Sequence, residues 1–185
     1  MLLTALGCEG TMADKSLATD RASLELLFDI SREFAAALDL RTVLHRVVML
    51  SMKTVGAVSG SIIVLDDLGQ PVDSAFLLRG QPHDQNTLRL ALTYERGLAG
   101  WVGRHRQAVL ILDTSKDERW FQRPDDAADR TGPKSAVSAP ILAREQLVGV
   151  ITLVHPQPGI FTQDHLELFQ AIADQAGVAI LNARL

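Results

Sequence analysis

The chain has 185 residues, a formal net charge of −4, 47% hydrophobic residues and one cysteine. The length suits one domain with short extensions, because a typical domain holds roughly 100–200 residues, and the composition is that of a globular protein. An acidic chain is a poor candidate for direct nucleic-acid binding, which usually needs a basic surface. One cysteine excludes an internal disulfide and any multi-cysteine zinc site.

Residues 1–20 are predicted to form a flexible lead-in. Residues 1–6 are mostly apolar, but no lysine or arginine precedes them and Glu9 follows closely, which does not fit a secretory signal peptide. No stretch of the sequence reaches the roughly 20 consecutive apolar residues of a membrane-spanning helix. We therefore expect a cytoplasmic protein without a membrane partner, in which Cys8 has no chemical role.

Two helices are predicted next, over residues 21–38 and 41–55, because apolar residues recur there at three- and four-residue steps. The pattern then changes to a short apolar run over residues 61–65, which predicts a central strand covered on both faces. Turn-forming residues at 66–71 lead into a returning strand over 72–78, so these two strands are expected to form a hairpin.

Residues 87–94 are predicted to form a half-exposed strand, because apolar residues at every even position alternate with more polar ones. Gly97, Gly100 and Gly103 follow at three-residue steps and predict a turn with a short helix that packs closely against the sheet. Their spacing is not that of a dinucleotide-binding loop. Residues 108–112 are predicted to form another strand.

The last third of the chain contains a long polar connection, a second hairpin and a final helix. The connection, residues 113–134, is predicted to be a lid or loop, because long connections in compact domains are usually functional or disordered. The hairpin covers residues 135–142 and 147–154, and the helix covers 162–185 with Thr162 as its N-cap. Because hairpin connections dominate, the sequence predicts an α+β domain with a mostly antiparallel sheet.

Four segments of this sequence resemble, in order, the GAF domain family of small sensory modules, which is related in fold to PAS domains. They are GSIIVLDD at 60–67, the glycine-bearing segment and the strand after it at 96–120, SAVSAPILAREQLVGVITL at 135–153, and the final helix at 161–185. The resemblance implies a single domain over residues 21–185. It also implies a central six-stranded antiparallel sheet flanked by helices, with the N- and C-terminal helices packed together.

The same resemblance implies a regulatory function. It predicts a small-molecule pocket between the sheet and the lid side, and a C-terminal signalling helix over residues 162–185 that leads to an output domain such as a histidine kinase, a cyclase or a transcriptional regulator. It further predicts a homodimer formed through the terminal helices. The ligand is unknown. No covalently bound cofactor is expected, because bilin attachment and methionine sulfoxide reduction in related domains need a cysteine inside the domain.

The first part of the lid segment carries candidate ligand-binding residues. Asp113, Arg119, Trp120 and Phe121 combine charge with large apolar surface, as the lid of a pocket would. Arg119 could pair with a carboxylate or phosphate, and Trp120 could cover the apolar part of a ligand. The alternative is a solvated loop, an interpretation that suits residues 124–134.

Three further candidates lie outside the lid segment. Trp101, on the short helix, either contacts the ligand or packs in the core, as buried aromatic residues usually do. Ser135 and Ser138, at the start of the strand after the lid, either donate hydrogen bonds to a ligand or lie on the more polar face of that strand.

Two histidines are weaker candidates. Some GAF domains bind haem through a histidine, which makes His105 and His155 candidate axial ligands, although a lone histidine is usually structural or at the surface. The sequence contains no zinc-binding histidine motif. Cyclic-nucleotide-binding GAF domains carry Asn-Lys before the last loop, where this chain has His155 and Pro156, and this difference argues against a cyclic nucleotide.

Two classes of function follow from this sequence. It contains no nucleophile elbow and no phosphate-binding loop, so the domain itself is not expected to be an enzyme, although an output domain could be one. We expect a ligand-gated sensor in signal transduction. The alternative is a ligand-free interaction module whose role is dimerisation through the apolar stripes of the two terminal helices, unless each stripe only covers its own sheet.

Overall fold

The computed structural model of this chain describes residues 10–36, 39–83, 87–122 and 132–184. Four parts of the sequence-based predictions lie outside these residues. They are the first nine residues with Cys8, the last two residues of the predicted first helix, residues 123–131 of the lid segment, and Leu185.

Five helices and six strands make up most of the described part of the chain. The helices are α1 (Gly10–Ala35), α2 (Leu40–Val55), α3 (Thr87–Arg96), α4 (Leu98–His105) and α5 (Gln163–Ala183). The strands are β1 (Ser59–Leu65), β2 (Pro71–Leu78), β3 (Gln81–Pro82), β4 (Val109–Ile111), β5 (Ser135–Ala143) and β6 (Gln146–His155), and a 3₁₀ turn, Thr114–Lys116, follows β4. Within these ranges no helix is both long enough and apolar enough to cross a bilayer.

The six strands form one sheet in the order β3-β2-β1-β6-β5-β4, and every neighbouring pair is antiparallel. Helices α1 and α5 contact each other on one face of this sheet. The predicted α+β fold is therefore confirmed, including the six-stranded antiparallel sheet, the flanking helices and the contact between the terminal helices.

Local hydrogen bonds determine where two of the helices begin. The Asp39 carboxylate accepts a hydrogen bond from the backbone N–H of Thr42 at 2.9 Å and caps α2. The Thr162 hydroxyl accepts one from the N–H of His165, and the His165 ring accepts one from the N–H of Thr162. The predicted N-cap of the last helix is thus confirmed, as one half of a reciprocal capping box.

The first helix begins earlier than predicted. α1 starts at Gly10, whereas the sequence predicted a flexible lead-in up to residue 20 and a helix from residue 21. The intervening residues include good helix formers such as Ala13, Lys15 and Leu17, and no proline or further glycine interrupts them. Local propensity therefore allows the helix to begin at Gly10, while the domain boundary at residue 21 stays a prediction.

The strand predicted over residues 87–94 is wrong, because this segment forms the helix α3. The same apolar residues also fit the period of a helix. Leu90 is 5% exposed and faces the core, whereas Leu92 is 37% exposed and lies on the outer side of the helix. Leu90 and Tyr94 are four residues apart and share one helical face. The sixth strand of the sheet is instead β3, which has only two residues and lies in a segment with turn-forming composition.

Two hydrophobic cores lie on opposite faces of the sheet. The larger one joins α1, α2 and α5 to the first face and contains residues such as Phe34, Val47 and Phe169. The smaller one joins α3 and α4 to the second face. Because side chains alternate along a strand, Ile62 points to the larger core and the neighbouring Ile63 to the smaller one. β1 is therefore a central strand covered on both faces, as predicted.

Gly177 allows α5 to approach the sheet closely. A Cβ at this position would overlap the carbonyl oxygen of Leu142 on β5. Backbone atoms cannot move aside as the end of a side chain can, so a larger residue would have to displace the helix from the sheet.

Gly177→Ala is therefore expected to lower the free energy of unfolding by about 1–3 kcal/mol, because the overlap outweighs the gain of up to about 1 kcal/mol in helix propensity. Urea denaturation measures the difference. Gly132→Ala is the control, since a Cβ there meets nothing within 4 Å. A Gly177→Ala protein as stable as the wild type would contradict this account of the packing.

Candidate functional site

A cavity of about 530 Å³ lies between the second face of the sheet and the layer formed by α3 and α4. Its floor consists mainly of alternate residues of three adjacent strands, as the two-residue repeat of a strand requires, and Ile62 also lines it. These floor residues are Ser59, Ser61 and Ile63 on β1, Ser74, Phe76 and Leu78 on β2, and Thr152 and Val154 on β6.

The roof of the cavity comes from α3, from the start of α4 and from the segment after the 3₁₀ turn. Thr93 lines it from α3, and Leu98 lines it from the first turn of α4. Trp120 and Phe121, two of the predicted lid residues, also line it. The first part of the lid segment therefore contributes large apolar side chains to one wall of the cavity.

Close packing between α3 and α4 supports this roof. A Cβ at Gly100 would overlap the carbonyl oxygen of Tyr94, and a Cβ at Gly103 would lie 2.5 Å from the Tyr94 hydroxyl oxygen. Burial raises the pKa of Tyr94. The glycines do permit a close approach, as the sequence predicted, but toward α3 rather than toward the sheet.

Hydroxyl groups provide the polar contacts inside the cavity. The Thr152 hydroxyl lies 2.8 Å from that of Ser138, so these two share a hydrogen bond. The Thr93 hydroxyl oxygen is buried and has no hydrogen-bond partner within the described part of the chain. Buried polar atoms are nearly always hydrogen-bonded, so a polar group of a ligand bound in this cavity would supply the missing partner.

Charged residues in the lining lie at the rim of the cavity. Arg79 follows β2 and Lys134 precedes β5, and both line the cavity together with His83. The His83 ring packs edge-on against Phe76 at a centroid distance of 6.0 Å. None of the described lining residues is an aspartate or a glutamate.

Arg119 does not line the cavity, because its side chain is engaged elsewhere. Its guanidinium donates two hydrogen bonds to Asp117, at 2.9 and 2.6 Å, and lies 4.7 Å from the ring centroid of Trp101. The hydrogen bonds from Arg119 lower the pKa of Asp117, and the same pairing raises the pKa of Arg119. This arrangement fixes the lid segment against α4, and a contact between Arg119 and a ligand stays a prediction.

Asp113 caps the 3₁₀ turn instead of facing the cavity. Its carboxylate accepts hydrogen bonds from the hydroxyl of Ser115 at 2.6 Å and from the N–H of Ser115 at 3.0 Å. Those bonds, with the Lys116 ammonium 3.5 Å away, lower the pKa of Asp113. These hydrogen bonds hold the Asp113 carboxylate against the 3₁₀ turn, and a contact between Asp113 and a ligand stays a prediction.

Trp101 and His105 form a stacked pair outside the cavity lining. Their rings are 4.1 Å apart with 16° between the planes, and His105 Nδ1 lies 2.8 Å from the Trp101 carbonyl oxygen. Trp101 packs against the smaller core. His155 is outside the lining too, where its Nδ1 accepts a hydrogen bond from the N–H of Gln157. In the described ranges no three His, Cys, Asp or Glu side chains come together as metal ligands.

The two candidate serines differ in their relation to the cavity. Ser135 is fully buried and donates to the carbonyl of Gln157 at 2.8 Å, on the face of β5 that points away from the cavity. Ser138 shares the cavity face but lies behind Thr152, to which it is hydrogen-bonded. Ser138 can therefore orient the Thr152 hydroxyl, while direct ligand contacts of both serines stay predictions.

Most of the floor was not identified from the sequence. The signal that could have found it is the placement of small polar residues at every second position of buried strands. Ser59 and Ser61 alternate with core-facing residues on β1, and Ser74 precedes Phe76 with the same period on β2.

Arg119→Gln is expected to lower the free energy of unfolding by about 1–2 kcal/mol at neutral pH, because a charge-assisted pair and a cation–π contact are lost. Since Arg119 lowers the pKa of Asp117 in the folded state, the share of this loss that comes from the ion pair has a definite pH dependence. The stabilisation by the ion pair is fully present above the ordinary carboxyl pKa of about 4. It disappears as the pH falls below that value and Asp117 becomes protonated in the folded protein. Urea denaturation of both proteins at neutral pH and near pH 3 tests this sign.

The control for this prediction is Arg21→Gln, which removes an arginine from an exposed pair with Glu25. An exposed pair contributes little, so this variant should change stability by less than about 0.5 kcal/mol. Equal losses in the two variants would contradict a structural role of Arg119.

Comparisons with known proteins agree with this architecture. The family profile described as GAF domain matches residues 37–181. A probable 3′,5′-cyclic phosphodiesterase of Caenorhabditis elegans is 24% identical over 97% of this chain, which spans only 26% of that protein. The GAF domain of an Acinetobacter phosphoenolpyruvate-protein phosphotransferase superposes with a TM-score of 0.64 at 23% identity, covering 87% of this chain and 93% of that one.

A third similar structure is the free methionine-R-sulfoxide reductase of Neisseria meningitidis, with a TM-score of 0.65 at 12% identity, covering 100% of this chain and 97% of that one. At such identities the two solved structures show a shared fold and no more. The family profile covers most of the sequence, and this chain therefore belongs to the GAF domain family.

Proposed function

We propose that this GAF domain is a sensory module of signal transduction, which binds a small molecule in the cavity and relays its presence through the terminal helices. The observation that carries the proposal is the cavity itself. Its volume of about 530 Å³ lies within the roughly 300–1,000 Å³ of typical ligand pockets. Its lining combines apolar side chains with a few hydroxyls, and the Thr93 hydroxyl has no hydrogen-bond partner among the residues that the structure describes.

The central strands connect the cavity to the terminal helices. Ser61 lines the cavity, and the next residue, Ile62, both lines it and belongs to the core shared with α2 and α5. At its other end β1 is tied to α5, because Arg184 donates to the carbonyl of Leu65 at 2.5 Å. A ligand that shifts β1 would therefore act on the last turn of α5. Relay also requires that the ligand favour one arrangement of the helices over another.

We propose that the output lies in another domain of a longer protein. The chain spans about a quarter of the phosphodiesterase that it resembles, and the phosphotransferase structure is also a domain of a larger protein. A histidine kinase, a cyclase or a transcriptional regulator would each fit. The domain itself is proposed to be regulatory and not enzymatic, and to act in the cytoplasm. Haem and cyclic nucleotides are the less favoured ligands.

A blocked cavity tests the proposal. Native mass spectrometry and thermal shifts are measured with nucleotides, amino acids, organic acids and haem. A ligand at 100 times its Kd should stabilise the domain by about 2.7 kcal/mol. Ser61→Phe, and independently Ser74→Phe, should remove this shift, because the new ring would occupy the cavity.

Ser61→Ala is the matched control and should keep the shift, because it leaves the cavity open. Each variant must melt cooperatively without ligand, which shows that it is folded. The proposal fails if no compound in the panel shifts the wild type, or if the shift survives in both blocked variants.

A second candidate function is a dimerisation module, favoured by exposed apolar residues on the terminal helices. Leu24 and Phe28 on α1 are 68% and 67% exposed and lie one helical turn apart, and Val178 on α5 is 57% exposed. Apolar side chains clustered on a helix surface often mark an interface with another protein.

Leu24→Glu and Phe28→Glu are expected to convert a homodimer into monomers, because each would place a carboxylate in an apolar interface. Light scattering at micromolar concentration measures the mass. Leu68→Glu is the control, since Leu68 is 85% exposed in the turn between β1 and β2 and should leave the dimer intact. A monomeric wild type, or a dimer that persists in both α1 variants, would contradict this function.

A further inference from the structure

We infer that the cavity accepts an organic anion, whose acidic group lies between Arg79 and Lys134 and whose apolar body lies under Leu98, Trp120 and Phe121. This inference rests on the proposed function, since it specifies the class of small molecule that the cavity takes. It follows from the position of the two cations, from the charge of the lining and from the distribution of apolar side chains.

The strand register places Arg79 and Lys134 at the same end of the strands. β1 begins opposite the ends of β2 and β6, since Ser59 pairs with both Leu78 and Val154, and β5 begins opposite the last residue of β6. Arg79 follows β2 directly and Lys134 precedes β5 directly. Three strand spacings of about 4.8 Å separate their backbones by roughly 14 Å, a distance that two long side chains can span to reach a group between them.

Among the described residues, the cavity lining carries positive formal charge, whereas the whole chain is acidic. The sequence has 22 acidic residues and 18 lysines and arginines. The 21 described lining residues include Arg79 and Lys134 but no carboxylate. Charges of one sign around a cleft with apolar walls raise the local concentration of the opposite ion.

The interior of the cavity favours an apolar body on the same ligand. Ile63 and Phe76 on the floor face Leu98 and the aromatic residues of the roof. The Thr93 hydroxyl, buried and unpartnered among the described residues, adds one polar contact to the ligand body. A small inorganic anion would leave these apolar walls uncovered, so a carboxylate, sulfonate or phosphate on an apolar or aromatic frame fits best.

Two dyes that differ by one acidic group test this inference. Anilinonaphthalene sulfonate is an anion, and N-phenylnaphthylamine has the same aromatic frame without the sulfonate. Fluorescence titration of the wild type should show binding of the anion that is about tenfold tighter, because hydrogen bonds to a charged group are stronger than neutral ones. This preference should decrease as sodium chloride is added.

Variants at the rim then locate the anion. Arg79→Gln and Lys134→Gln should each weaken binding of the sulfonate about threefold or more, since each loses one ionic contact, and should leave binding of the neutral dye unchanged. Arg41→Gln and Lys53→Gln make the same changes of charge on α2, across the sheet from the cavity, and should leave both dyes unaffected. Melting temperatures of all four variants check that they are folded.

The results separate this inference from the proposed function. Equal affinity for the two dyes in the wild type, or equal losses of both dyes in the rim variants, would overturn the anion preference while leaving a ligand-binding cavity in place. Binding of neither dye to the wild type would contradict the proposed function and the inference with it.

Discussion

The structure depends on two central strands that are buried on both faces. β1 and β6 lie in the middle of the sheet, so each of their residues faces either the larger core or the cavity side. This alternation is a property of the extended backbone. The two strands also pack closely against each other, because a Cβ at Gly149 on β6 would lie 2.6 Å from the carbonyl oxygen of Ile63 on β1. The same backbone therefore supports the core and the floor of the cavity.

The roof of the cavity depends on close packing between α3, α4 and the lid segment. Glycines on α4 allow it to pack directly against Tyr94 of α3, and Arg119 joins the lid segment to Trp101 while it is paired with Asp117. These contacts hold the segment that carries Trp120, which lines the cavity.

The arrangement suits regulation because the cavity and the terminal helices share one sheet. The cavity lies on the face opposite α1 and α5, so a ligand there does not touch these helices directly. In the proposed function, the effect of such a ligand passes through the strands, and the hydrogen bond from Arg184 to the Leu65 carbonyl joins the end of α5 to β1. Coupling of this kind needs only a difference in binding free energy between two arrangements of the helices.

Local signals in the sequence determined much of the fold: Thr162 caps its helix, the hairpins form at their turn residues, and apolar runs form the central strands.

The strand prediction for α3 was wrong because a period of two over eight residues also fits one helical face, and only packing against α4 distinguishes the two. The cavity floor was decided by tertiary structure, since Ser61 and Ser74 become neighbours of Thr152 only through strand register. Arg119 likewise lies near Asp117 in sequence, but its position over Trp101 requires the lid segment to pack against α4. Capping and turn formation act within a few residues, whereas a cavity requires side chains from distant segments to meet.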